Sequence, residues 1–338
     1  MNRPIIVAAL WIMVSMSGCI LSENGDGSSL PSPSLSHIDS WMYQLENLSD
    51  PEAVDALASS KYPLLVIDPT YTQNDERDLD IGAILDELRY TPEGKKRLIL
   101  AYVNIGQAET YRTYWQPDWQ APQPDGRGNP DFLLAGDPDG WSDNYLVAFW
   151  DERWQGIWLG EEGLIGELAR RGFDGVYLDW IGAYEEEPVV EASLSAGLDP
   201  AREMVDFIAA IRTAGRAIDE DFLVVGQNAP YLIDERPEFA GVIDALAVED
   251  TWFSGTGDAQ WGTPEAGDIP NQRQDEFSTT SLLVQYRKYQ AQGLPVFSVD
   301  YCRSPTNATR VYQAARNAGL IPLVTQVSLS RLTETPPW

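Results

Sequence analysis

Histidine is nearly absent: His37 is the only one in 338 residues. A Ser-His-Asp triad, a Cys-His pair and a His-ligated zinc centre are therefore excluded. Cysteine is almost as scarce, with only Cys19 and Cys302. The fold must rest on its core and not on a disulfide framework. Basic residues are few, and 23 Lys and Arg against 52 Asp and Glu leave a formal net charge of −29. That balance argues against nucleic acid as a partner. Lysine is confined to Lys61, Lys95, Lys96 and Lys288, while acidic residues are spread along the whole chain. The spread fits a solvated acidic surface, with attraction of a cationic ligand as the functional counterpart. Catalysis is left to carboxylates, Tyr, Lys or a metal held by carboxylates.

Long apolar runs are missing too. Near the N-terminus Arg3 precedes a short one, residues 5–16, followed by Ser17, Gly18 and Cys19. The run is short for a spanning helix and fits the h-region of a signal peptide. Small residues before Cys19 resemble a bacterial lipobox. This implies a leader over residues 1–18 and lipidation of Cys19. An ordinary signal peptide that happens to contain a cysteine is the plainer alternative. Residues 19–37 are rich in Ser, Gly and Pro and read as a flexible tether. The expected location is extracytoplasmic, on a bacterial membrane. It is the outer membrane in a Gram-negative cell, because Ile20 and not Asp follows the cysteine. Residues 38–338 are expected to form the folded domain.

What is present is a repeated alternation. Short apolar runs are expected as strands at 41–45, 64–68, 98–105, 145–150, 175–179, 222–227, 245–249, 295–300 and 321–326. Amphipathic stretches at 51–59, 157–171, 204–218, 280–292 and 306–318 are expected as helices. This alternation predicts a parallel α/β fold. Residues 107–154 lack helical periodicity, so 145–150 reads as a short extra strand within a long loop. Eight strands remain, which gives a (β/α)8 TIM barrel with a long insertion after the third strand. A doubly wound open sheet is the alternative, weakened because no glycine-rich nucleotide fingerprint follows an early strand. Residues 184–197, with Glu185, Glu186 and Glu187, are expected to be a solvated loop.

The C-terminal ends of these eight strands are polar: Gln44, Asp68, Asn104, Asp179, Gln227 with Asn228, Glu249 with Asp250, Asp300, and Gln326. In a barrel such ends converge on the face that carries active sites. Aromatics crowd the same loops, among them Tyr111, Trp115, Trp141, Trp180, Tyr184, Trp252 and Tyr301. Carboxylates among aromatic platforms suit a sugar. Paired carboxylates suit glycoside hydrolysis, one as nucleophile and one as acid/base. Asp179 on the fourth strand and Glu249 on the sixth are the candidate pair. Trp180 and Trp252 stand beside them, and burial by an indole would raise the pKa of the carboxyl that must stay protonated.

Taken together, W-M-Y-Q-L at 41–45, A-Y-V-N-I-G-Q-A-E from 101, G-F-D-G-V-Y-L-D-W at 172–180, V-E-D at 248–250 and V-D-Y at 299–301 resemble glycoside hydrolase family 114, the endo-α-1,4-polygalactosaminidase-like barrels. The resemblance spans about residues 40–330. It implies a hydrolase of α-1,4-linked galactosamine polymers. The chain is separately expected to be a monomer that uses no cofactor or metal. The resemblance further implies Asp179 as nucleophile and Glu249 as acid/base in a retaining mechanism. Asp68, Asn104, Glu109, Tyr111, Arg112, Trp180, Tyr184, Gln227, Asn228, Trp252, Asp300 and Gln326 would shape the substrate site. Galactosamine units are cationic, and Asp68 and Asp300 are the expected partners of the amine. Asn104 and Gln107 depart from the Ser and Glu that many relatives carry. Two rivals stay open from the residues: a sugar-binding barrel without catalysis, and a hydrolase that uses a carboxylate-bound metal.

Overall fold

The computed structural model describes residues 35–69, 80–124 and 126–338. The expected leader, Cys19 and most of the tether lie outside them. In chain order the barrel domain runs β1 (Met42–Gln44), α1 (Pro51–Ala58), β2 (Leu64–Ile67), α2 (Ile81–Leu88) and β3 (Leu98–Asn104). Three short strands follow, β4 (Gln107–Glu109), β5 (Leu133–Gly136) and β6 (Asn144–Val147), then α3 (Glu152–Trp158), α4 (Leu164–Arg171) and β7 (Gly175–Asp179). Next come α5 (Glu187–Ser195), α6 (Pro200–Arg216), β8 (Leu223–Gln227), α7 (Leu232–Glu235), α8 (Phe239–Val242) and β9 (Ala245–Glu249). The small pair β10 (Phe253–Ser254) and β11 (Ile269–Pro270) precedes α9 (Thr279–Ala291), β12 (Val296–Tyr301), α10 (Pro305–Asn317) and β13 (Ile321–Thr325).

One sheet takes eight strands in the order β1-β2-β3-β7-β8-β9-β12-β13, and every ladder is parallel. This is a (β/α)8 barrel, with its eight expected strands displaced by at most one residue at any end. The seam between β13 and β1 is closed by other means. The Trp41 indole N–H donates to the Ile321 carbonyl at 3.0 Å, and the Leu45 N–H to the Leu329 carbonyl at 2.9 Å. These bonds satisfy groups that a ladder would otherwise pair.

Local chemistry sets the helix starts. Asp50, Asp80, Asp151, Asp199 and Ser278 each accept a backbone N–H at the N-terminus of the helix that follows, which satisfies donors the helix cannot pair internally. The helix expected over 157–171 is instead split into α3 and α4. Gly160 between them has φ +94°, and a Cβ on Gly163 would fall 2.5 Å from the Leu159 backbone, so the chain turns where only glycine fits. The acidic stretch 184–197 is not a loop either: α5 occupies most of it. Glu187 lies in its first turn with Pro188 just inside, where negative charge and a fixed φ both favour a helix start.

The insertion after β3 is a three-stranded antiparallel sheet, β4-β6-β5. The expected extra strand is β6, displaced to Asn144–Val147. Its partners β4 and β5 have only three and four residues, too short for a visible alternation. Inside the barrel, Tyr177 lies 5.0 Å from Tyr43 and 6.1 Å from Trp41 between ring centroids, and Phe297 lies 5.5 Å from Trp41. This aromatic floor supports the C-terminal mouth.

Candidate active site

Register decides which strand-end residues face the barrel axis. Parallel partners share a face, and side chains alternate along each strand. Tyr43 pairs with Val66, Asn104 with Asp179, Val225 with Ala245, and Val299 with Glu249. Followed around the ring, the inward layer at the mouth is Tyr43, Asp68, Asn104, Asp179, Gln227, Glu249, Tyr301 and Thr325. One polar strand end, Gln44, and two expected site residues, Asp300 and Gln326, are therefore corrected by one position. Gln44 and Asp300 lie on the opposite face of their strands. Gln326 lies past Thr325, where its Oε1 accepts the Gly262 N–H at 2.6 Å.

Asp179 and Glu249 are brought together. Tyr102, two residues before Asn104 on β3, donates its hydroxyl to Asp179 Oδ2 at 2.7 Å. Asp179 Oδ1 accepts the Trp180 N–H at 2.7 Å. Burial, followed by the negative charge of Glu249, pushes the Asp179 carboxyl up to about 7. Glu249 accepts three donors: the Tyr301 hydroxyl, the Gln227 carboxamide and the Asn228 carboxamide. Burial raises Glu249 as well, and these three donors oppose the rise. Tyr102 and Tyr301 touch the two carboxylates and were absent from the expected site. The signal was available: Tyr102 is two residues from Asn104, on the same face of one strand.

The three central strands end alike. Trp180, Asn228 and Asp250 follow β7, β8 and β9 with φ of +57°, +55° and +57°. A left-handed residue turns the chain sharply at each strand end, at a cost of roughly 1–3 kcal/mol outside glycine. Strain at three neighbouring strand ends marks the place where geometry is held for chemistry. Gly106 permits one of these turns, since a Cβ there would sit 2.1 Å from the Trp180 carbonyl oxygen.

Around this pair the other expected residues divide. Arg112 is buried between Asp68 and Glu109. It contacts Asp68 Oδ1 at 2.9 Å and Oδ2 at 2.8 Å, and Glu109 Oε2 at 2.7 Å. The Tyr111 hydroxyl donates to Glu109 Oε1 at 2.7 Å. Asp68 is thus held by a guanidinium and is not an open partner for an amine. Asn104 Oδ1 accepts the Gln107 N–H at 2.9 Å, and Gln107 Nε2 donates to Asp137 at 2.6 Å, tying the third strand to the insertion. Asp300 is 0% exposed and accepts the Trp252 and Phe253 N–H groups at 2.6 and 2.8 Å. It clamps the loop after β9 and does not reach the cleft. Trp252 packs on the cluster of Cys302, Val311 and Val324. Tyr184 is 2% exposed with its hydroxyl on Glu185, so it is a core residue and not a wall of the cleft. Trp180 is half-buried beside Asp179.

The insertion also reaches across the mouth. The Trp141 N–H is held by Asp137 at 3.1 Å, and its indole lies where a Cβ on Gly257 would approach to 3.0 Å. The loops after the third and sixth barrel strands therefore meet. Among the described residues, no three His, Cys, Asp or Glu side chains gather as a metal site, and no helix is long and apolar enough to cross a membrane.

Known proteins were compared with this architecture. An uncharacterized protein of Deinococcus radiodurans is 32% identical over 305 residues, covering 90% of this chain and 86% of that one. An uncharacterized protein of Thermotoga maritima is 28% identical over 342 residues, with 96% and 89% covered. Among solved structures, the glycoside hydrolase domain of PelA from Pseudomonas aeruginosa superposes with a TM-score of 0.58 at 16% identity, covering 88% of this chain and 98% of that one. Aspergillus fumigatus Ega3, solved in complex with galactosamine, gives 0.58 at 16% identity, with 90% and 96% covered. At that identity the two structures speak for the fold. The family model for glycoside-hydrolase family GH114 matches residues 24–337, and the chain belongs to that family.

Proposed function

We propose that this glycoside hydrolase cleaves α-1,4-linked galactosamine-type polymers with Asp179 and Glu249 as its two carboxylates. The observation that carries the proposal is their arrangement: half-buried, inward-facing, electrostatically coupled, and each held by its own tyrosine. Ega3 supports the choice of sugar, since its solved complex contains galactosamine, and so does the acidic chain.

In this proposal the barrel works by double displacement. Asp179 attacks the anomeric carbon while Glu249 protonates the departing glycosidic oxygen. Glu249 then takes a proton from water, whose oxygen displaces Asp179. These roles require Asp179 ionised and Glu249 protonated when substrate is bound, and an ammonium of the amino sugar placed beside Asp179 would favour its ionised form. A retaining pair stands about 5–5.5 Å apart. The test is turnover of polygalactosamine by wild type, Asp179→Asn and Glu249→Gln, with the first anomer released followed by NMR. Retained configuration and loss of turnover in both variants are expected. Absence of product from the wild-type protein on every α-linked amino-sugar polymer would refute the substrate. Tight binding without cleavage would point to the sugar-binding rival.

We also propose that Cys19 carries a lipid and tethers the barrel to a bacterial membrane from outside the cytoplasm. Support comes from the sequence of residues 3–19. Cys19→Ser should release the protein from the membrane fraction. An unchanged distribution would exclude the anchor.

A further inference from the structure

Trp141 is 47% exposed, whereas Trp115, Trp119 and Trp150 of the same insertion pack against the core. Its placement is nonetheless fixed. The Trp141 N–H donates to Asp137 Oδ1 at 3.1 Å, and the Trp141 carbonyl accepts the Asn144 N–H at 3.3 Å where β6 begins. One edge of the indole rests on the loop after β9: a Cβ on Gly257 would fall 3.0 Å from Cζ2 and 3.6 Å from Nε1. Glycine at 257 leaves room for that edge.

Asp137 joins this indole to the mouth. Its Oδ2 accepts Gln107 Nε2 at 2.6 Å, and the Gln107 N–H donates to Asn104 Oδ1 at 2.9 Å. Asn104 stands opposite Asp179 in the β3–β7 ladder. Gln107 suits this link, because a glutamate there would offer no donor and would repel Asp137. Trp141 is thus tied to the strand beside Asp179 and touches the loop that follows Glu249.

The charges around Trp141 are negative. Asp139 precedes it by two residues, and Glu186 is the N-cap residue of α5, which packs on β5 and β6. Asp139 is exposed and Glu186 half-buried. Among the described residues neither carboxylate has a cation or a hydrogen-bond donor. Asp68 and Asp300, the acids expected to meet the amine, are by contrast engaged by Arg112 and by backbone N–H groups.

We infer that Trp141 is the platform of an outer subsite for a cationic amino-sugar unit, filled while a neighbouring unit of the same polymer lies between Asp179 and Glu249. This rests on the two-carboxylate reading above. An ammonium over an aromatic face is attracted by the ring quadrupole, and tryptophan is the strongest such partner. Asp139 and Glu186 add the opposite charge. The subsite holds the polymer away from the reacting bond, so it favours chains over single sugars and free amines over acetylated ones.

The test reads binding without cleavage. The full chain carrying Glu249→Gln is titrated calorimetrically with an α-1,4-linked galactosamine tetrasaccharide and with its N-acetylated counterpart. Adding Trp141→Ala should weaken affinity for the free amine about fivefold, and the N-acetylated tetrasaccharide should lose less. Adding Asp139→Asn with Glu186→Gln should also weaken the free amine and flatten the salt dependence of its binding. Trp141 is exposed, so its removal should leave the melting temperature near that of the parent. An affinity unchanged by Trp141→Ala overturns the inference, as does an equal loss for the N-acetylated tetrasaccharide. If the wild-type protein still cleaves the polymer in that case, the two-carboxylate reading stands alone. A parent that binds no galactosamine oligomer refutes the substrate and the subsite together.

Discussion

Asn228 grips Glu249 at both ends: its Oδ1 accepts the Glu249 backbone N–H at 2.9 Å, and its Nδ2 donates to the carboxylate at 2.7 Å. The left-handed turn at Asn228 makes this possible by swinging the carboxamide toward the neighbouring strand. Asn is also a residue that tolerates that conformation. A residue expected to bind substrate thus positions one of the two carboxylates proposed for catalysis. Asn228→Ala should lower kcat by about 100-fold with a small change in KM, since a misplacement of about 1 Å costs that much. Asn228→Asp should raise the Glu249 pKa by like-charge repulsion and move the alkaline limb of the kcat/KM profile upward, since Glu249 must be protonated to act as the acid. Steady-state kinetics across pH would read both, and a variant whose KM alone changes would return Asn228 to substrate binding.

Arg112 neutralises two buried acids at once. Arg112→Met removes the cation and leaves Asp68 and Glu109 uncompensated, a loss of about 3–5 kcal/mol. Urea denaturation should show a lower midpoint at pH 7. Arg112→Lys, which keeps a cation, should recover part of the deficit. An equal deficit in both variants would assign the loss to packing.

Asp300 offers a test of stability alone. Burial pushes its carboxyl up to about 7, while an unfolded Asp titrates near 4. Between those values the folded protein holds a proton that the unfolded chain releases. The stabilising contribution is complete below pH about 4 and is lost as pH rises through about 7, by about 1.4 kcal/mol per pH unit at most. Asp300→Asn keeps an oxygen for the Trp252 and Phe253 N–H groups and cannot ionise. Its stability should fall less steeply than that of wild type between pH 4 and 7, and its KM should match wild type because the side chain is sealed from the cleft. A raised KM for the amino-sugar polymer would restore Asp300 to substrate recognition.

Gly106 is a point of close approach. Gly106→Ala forces its Cβ against the Trp180 carbonyl, so the turn that supplies the N–H to Asp179 must shift. Overpacking of this kind costs about 1–3 kcal/mol. Activity should fall further than stability, which thermal melts and turnover measured together would show. Gly94→Ala, at a site where a Cβ meets nothing within 4 Å but φ is +77°, separates backbone strain from site damage: it should lower the melting temperature and leave kcat intact.

Much of this was legible along the chain. The eight barrel strands were visible because each is a short apolar run, and parallel strands covered on both faces lack polar interruptions. Asp179 and Glu249 were visible because they end such runs. Strands β4 and β5 were not, being too short for periodicity. Helix α5 was hidden behind three consecutive glutamates, although its first-turn acid and proline are ordinary start signals.

Sequence alone determined the chemistry available: one histidine, few lysines, and carboxylates with aromatics at the strand ends. It also determined the barrel, because alternation of apolar runs and amphipathic helices allows few other packings. Only the tertiary structure decided which strand-end residues face the cleft. Gln44 and Asp300 read as polar strand ends on the cleft face, but Tyr43 and Tyr301 hold the inward places beside them. Side chains in a strand alternate with period two, so one step exchanges cleft for outer face. The ladders to neighbouring strands fix that step, and they join residues far apart in the chain.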